Sequence, residues 1–350
     1  MCIYHFVICF LSFIFVFTKQ KKDFLKESYR LCSKNEIFKE IFKEKCLKNP
    51  PIINLKIKRN YKFYEKLPPE QYENELKIWF KKNMKRELNL DNPKTLNEKI
   101  QWLKLYDATP IKTMLTDKYL VKNYIKEKIG EKFIIPLLGA WDSFNQINFK
   151  SLPNRFVLKT NHASGMVLLV KNKKTLNLKK IRKIINRWMK INWAYTTLEL
   201  HYLNIKPKIL AEPYIENSKG DLYDYKVYCF DGRVESIAFL SGKDPKKRRI
   251  AFFDTKWKKL KYTDTYRQFK KKIPKPKNLK LLINICEKLS KGFNFVRIDF
   301  YILNDGSIKF GEFTFTPFSG VIKFKPSIQD RIFGDMLKLP KPSPFPIKKK

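Results

Sequence analysis

Phe293–Gly320 reads FNFVRIDFYILNDGSIKFGEFTFTPFSG. Two runs rich in aromatic and β-branched residues flank Asp305-Gly306, the signature of a β-hairpin closed by a tight type I′ turn. With Asp305 and Gly306 as the central turn residues, Asn304 pairs with Ser307. Counting outward, Asp299 falls opposite Glu312, and Arg297 opposite Thr314. Opposed side chains share a face, and so do residues two apart on one strand. One face of the hairpin therefore carries Arg297, Asp299, Glu312 and Thr314 together.

Two opposed carboxylates destabilise a sheet unless something offsets their repulsion. Magnesium fits, because it takes hard oxygen ligands and commonly uses one or two carboxylates with substrate phosphates. Arg297 bridging the acids on a solvated face fits the same pattern. The neighbours Val296, Ile298, Phe300 and Phe313 to Phe315 make the hairpin too apolar for an exposed edge and favour a cleft. On this reading Asp299→Asn or Glu312→Gln relieves the repulsion and leaves the fold intact.

The chain has 350 residues, enough for two or three domains, and is 43% hydrophobic and 15% aromatic, which excludes a disordered chain. Against 33 Asp+Glu stand 74 Lys+Arg, a formal charge of +41. Such a balance suits nucleic acid, an anionic membrane surface or polyanionic substrates. The lysines are spread through a chain rich in Lys, Asn, Ile and Phe, so compositional drift accounts for most of the charge, with a peripheral membrane role second. Cys2, Cys9, Cys32, Cys46, Cys229 and Cys286 form no CxxC pair, and none has a His at ligand spacing. Zinc and a disulfide framework are not expected, and a reducing cytosol fits. His5, His162 and His201 are too dispersed for a His-based metal centre.

Residues 2–17 are nearly all apolar and are followed by Lys19, Lys21 and Lys22. The run is short for a bilayer span and lacks the leading charge and cleavage site of a signal peptide. Residues 1–18 are a candidate anchor, and if they insert, the lysines favour a cytoplasmic body at the inner face of the membrane. A helical region over 19–110 includes Tyr72, Leu76, Trp79, Phe80 and Met84 on one face, and a capping box at Thr95 and Glu98. Thr116 opens a further helix that closes near Gly130, and Ile134–Leu138 reads as a strand. Phe156–Lys159 and Met166–Val170 are strands around the loop TNHASG, which is suited to closing over phosphate. Asn177 starts an amphipathic helix through Ile181, Ile184, Ile185 and Trp188. Ile209–Ile215 is strand-like, and Asp231-Gly232 joins a second hairpin in which Asp224 and Lys226 share a face. A Lys/Pro-rich loop over 270–280 and a helix from about Leu279 to Lys291 lead into the opening hairpin. Residues 340–350 form a basic tail.

Taken in order, TLNEKIQWLKLYD, TDKYLVKNYI, IIPLLGAWDSF, FVLKTNHASG, AEPYI, DYKVYCFDG and the hairpin itself resemble the TupA-like branch of the ATP-grasp superfamily. That branch is associated with bacterial cell-surface polymer and polysaccharide synthesis. The resemblance covers roughly Thr95 to Leu339. It implies an α+β fold in which two lobes, about 111–208 and 209–339, hold ATP between antiparallel sheets. It further implies Lys118 and Lys159 as phosphate-binding lysines, and Glu212 with Tyr214 and Ile215 as the hinge that meets adenine. Asp224 would lie near the ribose, with Lys226 a further phosphate contact. Asp299, Glu312 and Thr314 would hold magnesium, and Arg297 would steady charge during attack on an acyl phosphate. Thr314 stands where the superfamily commonly has Asn, Ala163 and Phe318 where related sequences often have Gly, and no βαβ pattern precedes the domain.

The implied function is an ATP- and magnesium-dependent carboxylate–amine ligase of cell-surface polysaccharide or teichuronopeptide-type polymer synthesis. Its partners would be ATP, a carboxylate such as a sugar acid or polymer, and an amine. The rivals are a glycosyltransferase or other capsule enzyme, which the absence of a nucleotide-sugar motif disfavours, and a basic nucleic-acid-binding protein.

Overall fold

The computed structural model describes residues 55–216, 222–242 and 248–343. The apolar segment 1–18 and the tail beyond Ser343 lie outside the described residues. Among those described, no helix is long and apolar enough to cross a membrane.

Five helices come first: α1 (Leu55–Lys66), α2 (Tyr72–Met84), α3 (Leu96–Tyr106), α4 (Pro110–Thr116) and α5 (Val121–Ile129). The capping box of α3 forms as expected: Glu98 N–H donates to Thr95 Oγ1, and Thr95 N–H to Glu98 Oε2. Thr116 ends α4 instead of opening a helix, and a turn over 118–120 separates it from α5. Pro110 explains this start, since proline fits the first helical position, where its missing N–H has no partner to lose.

A four-stranded sheet in the order β1-β4-β2-β3 is built from β1 (Gly139–Trp141), β2 (Phe156–Thr160), β3 (Val167–Val170) and β4 (Ile209–Pro213). The strand expected over 134–138 is displaced, because Glu131–Phe133 winds into a 3₁₀ turn and pairing begins only at Gly139, opposite Ala211. Between β3 and β4 lie α6 (Leu178–Trp188), capped by the Asn177 side chain, and the short α7 (Ala194–Thr197).

The second sheet runs β10-β9-β5-β6-β7-β8, from β5 (Asp224–Phe230), β6 (Arg233–Ser241), β7 (Arg249–Phe253), β8 (Arg267–Gln268), β9 (Phe295–Ile302) and β10 (Ile308–Thr314). All its pairs are antiparallel except the two-residue β7–β8 contact. Helix α8 (Leu279–Ser290) covers one face, and α9 (Ile328–Met336) packs against α3 at the other. Period two is visible along β9. Val296, Ile298 and Phe300 join Leu282 and Leu289 in the core under α8, while Phe295 packs with Leu96, Ile100 and Phe333. Arg297, Asp299 and Tyr301 share the second face, where the apolar core gives way to the cleft.

The lobe boundary expected at 209 falls inside the first sheet, since β4 pairs with both β1 and β2. Leu115, Val121, Ile125 and Phe133, expected in the first lobe, pack in the core of the second sheet. The described residues from Lys56 onward form one compact unit.

The opening hairpin is not closed by a two-residue turn. Ile302 pairs with Ile308, Leu303 N–H donates to Ser307 O, and Gly306 N–H donates to Leu303 O. Asn304, Asp305 and Gly306 therefore form a three-residue loop, with Gly306 left-handed at φ 81°. That shifts the register by one. A bulge at Gly311 shifts it back, so Glu312 lies opposite Asp299 and Thr314 opposite Arg297. A Cβ on Gly311 would sit 2.9 Å from the Asp299 carbonyl oxygen, which explains the glycine. The second hairpin does have the two-residue turn, with Asp231 and Gly232 at φ 48° and 74°.

Candidate active site

The two sheets face each other across a cleft with two adjoining cavities, of about 410 and 550 Å³. Lys118, Lys159, Glu212, Tyr214 and Ile215 line the smaller, while Arg297 and Thr314 line the larger. Asp224, Lys226 and Glu312 border both, and Asp299 borders the smaller. All the residues anticipated from sequence thus converge on one cleft.

Charges alternate through it. On β10, Glu312 meets Lys118 Nζ at 3.4 Å, and the same ammonium donates to Ala163 O at 3.0 Å in the loop after β2. On β5, Lys226 pairs with Asp224 at 2.6 Å and with Asp299 on β9 at 2.5 Å. Arg297 grips Asp299 at two points, each 2.7 Å, and donates to Thr314 Oγ1 at 3.1 Å. Thr314 Oγ1 in turn donates to Glu312 Oε1 at 3.3 Å. On the first sheet, Glu212 lies buried between Lys159 at 2.6 Å and Lys122 at 2.7 Å.

Burial alone would push the Asp299 and Glu212 carboxyls up. Arg297 and Lys226 overcome it at Asp299, and Lys159 and Lys122 at Glu212, so both end below the usual carboxylate range. Burial wins at Asp224, whose carboxyl is raised despite Lys226, with Asp299 adding to the rise. Burial disfavours the Lys226 cation, yet Asp224 and Asp299 raise its pKa on balance.

These pairs correct one expectation. Asp299 is 3% exposed and held by two cations, so neutralising it does not relieve a repulsion. It takes the two-point partner from a buried guanidinium and leaves the Lys226 ammonium with Asp224 alone.

Sequence reading missed Lys122, Glu199, Arg248 and Tyr301, all but the first of which line the larger cavity. Lys122 was legible in part, lying four residues after Lys118. The hinge also differs from the simple picture: the Glu212 carboxylate faces two lysines, while Tyr214 and Ile215 follow the end of β4. Arg155 stacks on the Tyr214 ring with 4.5 Å to its centroid.

Past β10 the backbone makes a left-handed turn through Phe318, Ser319 and Gly320, at φ 51°, 54° and 71°. Left-handed non-glycine residues cost roughly 1–3 kcal/mol each and persist only where surroundings enforce them. Phe318 thus adopts a backbone conformation that favours glycine. The enforcing groups are Gln101, whose amide donates to Ser319 O and Gly320 O, and the buried Glu199.

A four-stranded and a six-stranded sheet closing on a cleft of lysines and carboxylates define the ATP-grasp fold class. The family model for TupA-like ATPgrasp matches residues 98–338, and the chain belongs to this family. No curated protein matches it. Solved structures similar to it include the D-alanine–D-alanine ligase of Bacillus anthracis complexed with ATP, at 16% identity and a TM-score of 0.36, over 57% of this chain and 55% of that one. The L-amino acid ligase of Bacillus licheniformis matches at 13% identity and a TM-score of 0.36, over 59% and 42%. The N5-carboxyaminoimidazole synthetase of Staphylococcus aureus matches at 13% and 0.35, over 57% and 44%. The chain spans only about half the length of these proteins.

Proposed function

We propose that the chain is an ATP- and Mg²⁺-dependent carboxylate–amine ligase that works through an acyl phosphate, in the synthesis of a cell-surface polysaccharide or teichuronopeptide-type polymer. The observation that carries this reading is the opposition of Asp299 and Glu312 beside Arg297, in the same cleft as Lys118 and Lys159.

The donor set suits magnesium. Among the described residues no three His, Cys, Asp or Glu side chains converge as a self-sufficient metal site. One or two carboxylates suffice for a magnesium ion that shares its remaining positions with substrate phosphates and water. Asp299, Glu312 and Thr314 would hold it, and it would neutralise charge on the β- and γ-phosphates. Lys118 and Lys159 act as point charges on the phosphates, and Tyr214 and Ile215 border the adenine end.

The substrate carboxylate oxygen attacks the γ-phosphorus and the bond to the β-phosphate oxygen breaks, giving an acyl phosphate and ADP. The amine nitrogen then attacks the acyl carbon, phosphate leaves, and the amine loses a proton. Arg297 faces the transferred group, where negative charge develops. Removing one such donor typically costs roughly 2.7–4 kcal/mol of transition-state stabilisation.

The test is ADP release across a panel of sugar acids and amino acids with Mg²⁺–ATP, with hydroxylamine in place of the amine. The expected result is ADP release with a hydroxamate. Arg297→Ala should lower kcat far more than it raises KM for ATP. Sugar transfer from a nucleotide sugar, with neither ADP nor hydroxamate under any acid, would replace this reading with a glycosyltransferase.

A further inference from the structure

Glu199 touches none of the groups assigned above to nucleotide or metal, yet it is buried at 6% exposure with both oxygens engaged. Its Oε2 accepts from Thr316 Oγ1. Its Oε1 accepts from Ser319 Oγ at 2.7 Å and from Thr197 Oγ1 at 2.8 Å. The Ser319 and Thr197 hydroxyls are themselves 2.9 Å apart. From the other side, Gln101 Nε2 lies 2.9 and 2.8 Å from the Ser319 and Gly320 carbonyl oxygens. A Cβ on Gly320 would be 2.3 Å from that amide nitrogen, so backbone and clamp fit closely.

What this clamp holds is the strained turn. Thr316, Phe318 and Ser319 line the larger cavity together with Arg297 and Thr314, and they do not line the smaller one. Phe318 packs on Tyr266 with ring centroids 5.9 Å apart. A turn that two of its residues disfavour, fixed by a buried carboxylate and walling the space beyond Arg297, is a means of holding one shape. Enclosure matters there, because water admitted beside the transferred group would accept it in place of the substrate.

We infer that Glu199 is a positioning residue. Its carboxylate, bonded to Thr316 and Ser319, locks the left-handed turn at Phe318–Gly320, and the turn closes the substrate end of the cleft against water. The inference rests on the ligase reading of the cleft.

The experiment uses the full chain and Mg²⁺–ATP alone. Glu199→Ala should raise acid-independent ADP release at least fivefold. It should speed hydrogen exchange of amides 318–321 at least tenfold, while the paired amides of β9 and β10 stay protected and the Mg²⁺–ADP dissociation constant stays within twofold. Adding Ser319→Gly should lessen both changes, since glycine removes the strain at one of the two left-handed non-glycine positions. Glu199→Gln, which keeps one acceptor oxygen, should fall between. If exchange and ADP release do not change, or if exchange rises through the hairpin as well, the inference is overturned. If Mg²⁺–ADP fails to bind even the unsubstituted chain, the ligase reading falls instead, and the exchange data still decide whether Glu199 clamps the turn.

Discussion

Arg297 holds Asp299 by two parallel hydrogen bonds, Nε to Oδ1 and Nη2 to Oδ2, each 2.7 Å. Two-point pairing fixes orientation as well as charge. The side chain proposed as a magnesium ligand is therefore preset by the side chain proposed to steady the reaction, two residues away on the same strand. Lys226 completes the enclosure of Asp299 from β5.

Asp299→Asn is expected to destabilise the protein by about 3–5 kcal/mol, the range for breaking a buried ion pair from one side. Glu312→Gln should cost well under half of that, because the Glu312 side chain is 32% exposed. Both should abolish Mg²⁺-dependent ADP release. Urea unfolding measures the difference, and equal midpoints for the two variants would show that the enclosure does not carry the load assigned to it.

Gly311→Ala is expected to disturb the site through the backbone. The new Cβ would meet the Asp299 carbonyl oxygen at 2.9 Å, and overpacking of this kind typically costs about 1–3 kcal/mol. Loss of the bulge would also move Glu312 off its partner. Gly306→Ala should destabilise comparably, through its φ of 81°, while sparing nucleotide binding. Denaturation and Mg²⁺–ADP titration of the two variants separate strain from register. The idea fails if Gly311→Ala binds nucleotide normally.

Lys159→Ala should weaken Mg²⁺–ATP binding more than adenosine binding, because the lost group is the point charge proposed to meet the phosphates. Glu212 keeps Lys122, so the first sheet should survive the change. Calorimetric titration of both ligands checks this, and equal losses would indicate damage to the fold.

Lys104 gives a pH dependence of stability. Burial pulls its ammonium down to about 7, against a counteracting pull from Glu199. The unfolded value is about 10.4. Between these values the unfolded chain binds a proton that the folded chain releases, so stability rises with pH, by up to about 1.4 kcal/mol per unit. Below pH 7 both states are charged and the slope vanishes. Lys104→Met should flatten the rise in urea unfolding between pH 7 and 9. An unchanged slope in the variant would assign it to another group.

Legibility in the sequence followed the range of the interaction. Asp231-Gly232 dictated its own turn, and the Asn177 and Thr95 caps were local. Asp299 and Glu312 were correctly opposed although the turn was misread, because the extra loop residue and the Gly311 bulge each move the register by one in opposite senses. The Glu212 contacts with Lys122 and Lys159 depend on a β4 that returns to lie between β1 and β2. No local pattern in the chain encodes that return. Glu199 reads as an ordinary charged residue until Thr316 and Ser319 arrive from 117 and 120 positions away.

Lys118 reaches from its turn to a carbonyl of the first-sheet loop and a carboxylate of the second sheet. Like Lys159, Lys226 and Arg297, it already has an anionic partner within the chain. An arriving triphosphate would therefore meet ion pairs, and its binding would be an exchange of partners. The affinity would reflect the difference between two sets of contacts, largely independent of the +41 the whole chain carries. On the proposed reading that exchange would loosen Glu312 from Lys118, Glu212 from Lys159, and Asp224 and Asp299 from Lys226, and of these Asp299 and Glu312 are the pair opposed across the hairpin that would take a cation when the phosphates arrive.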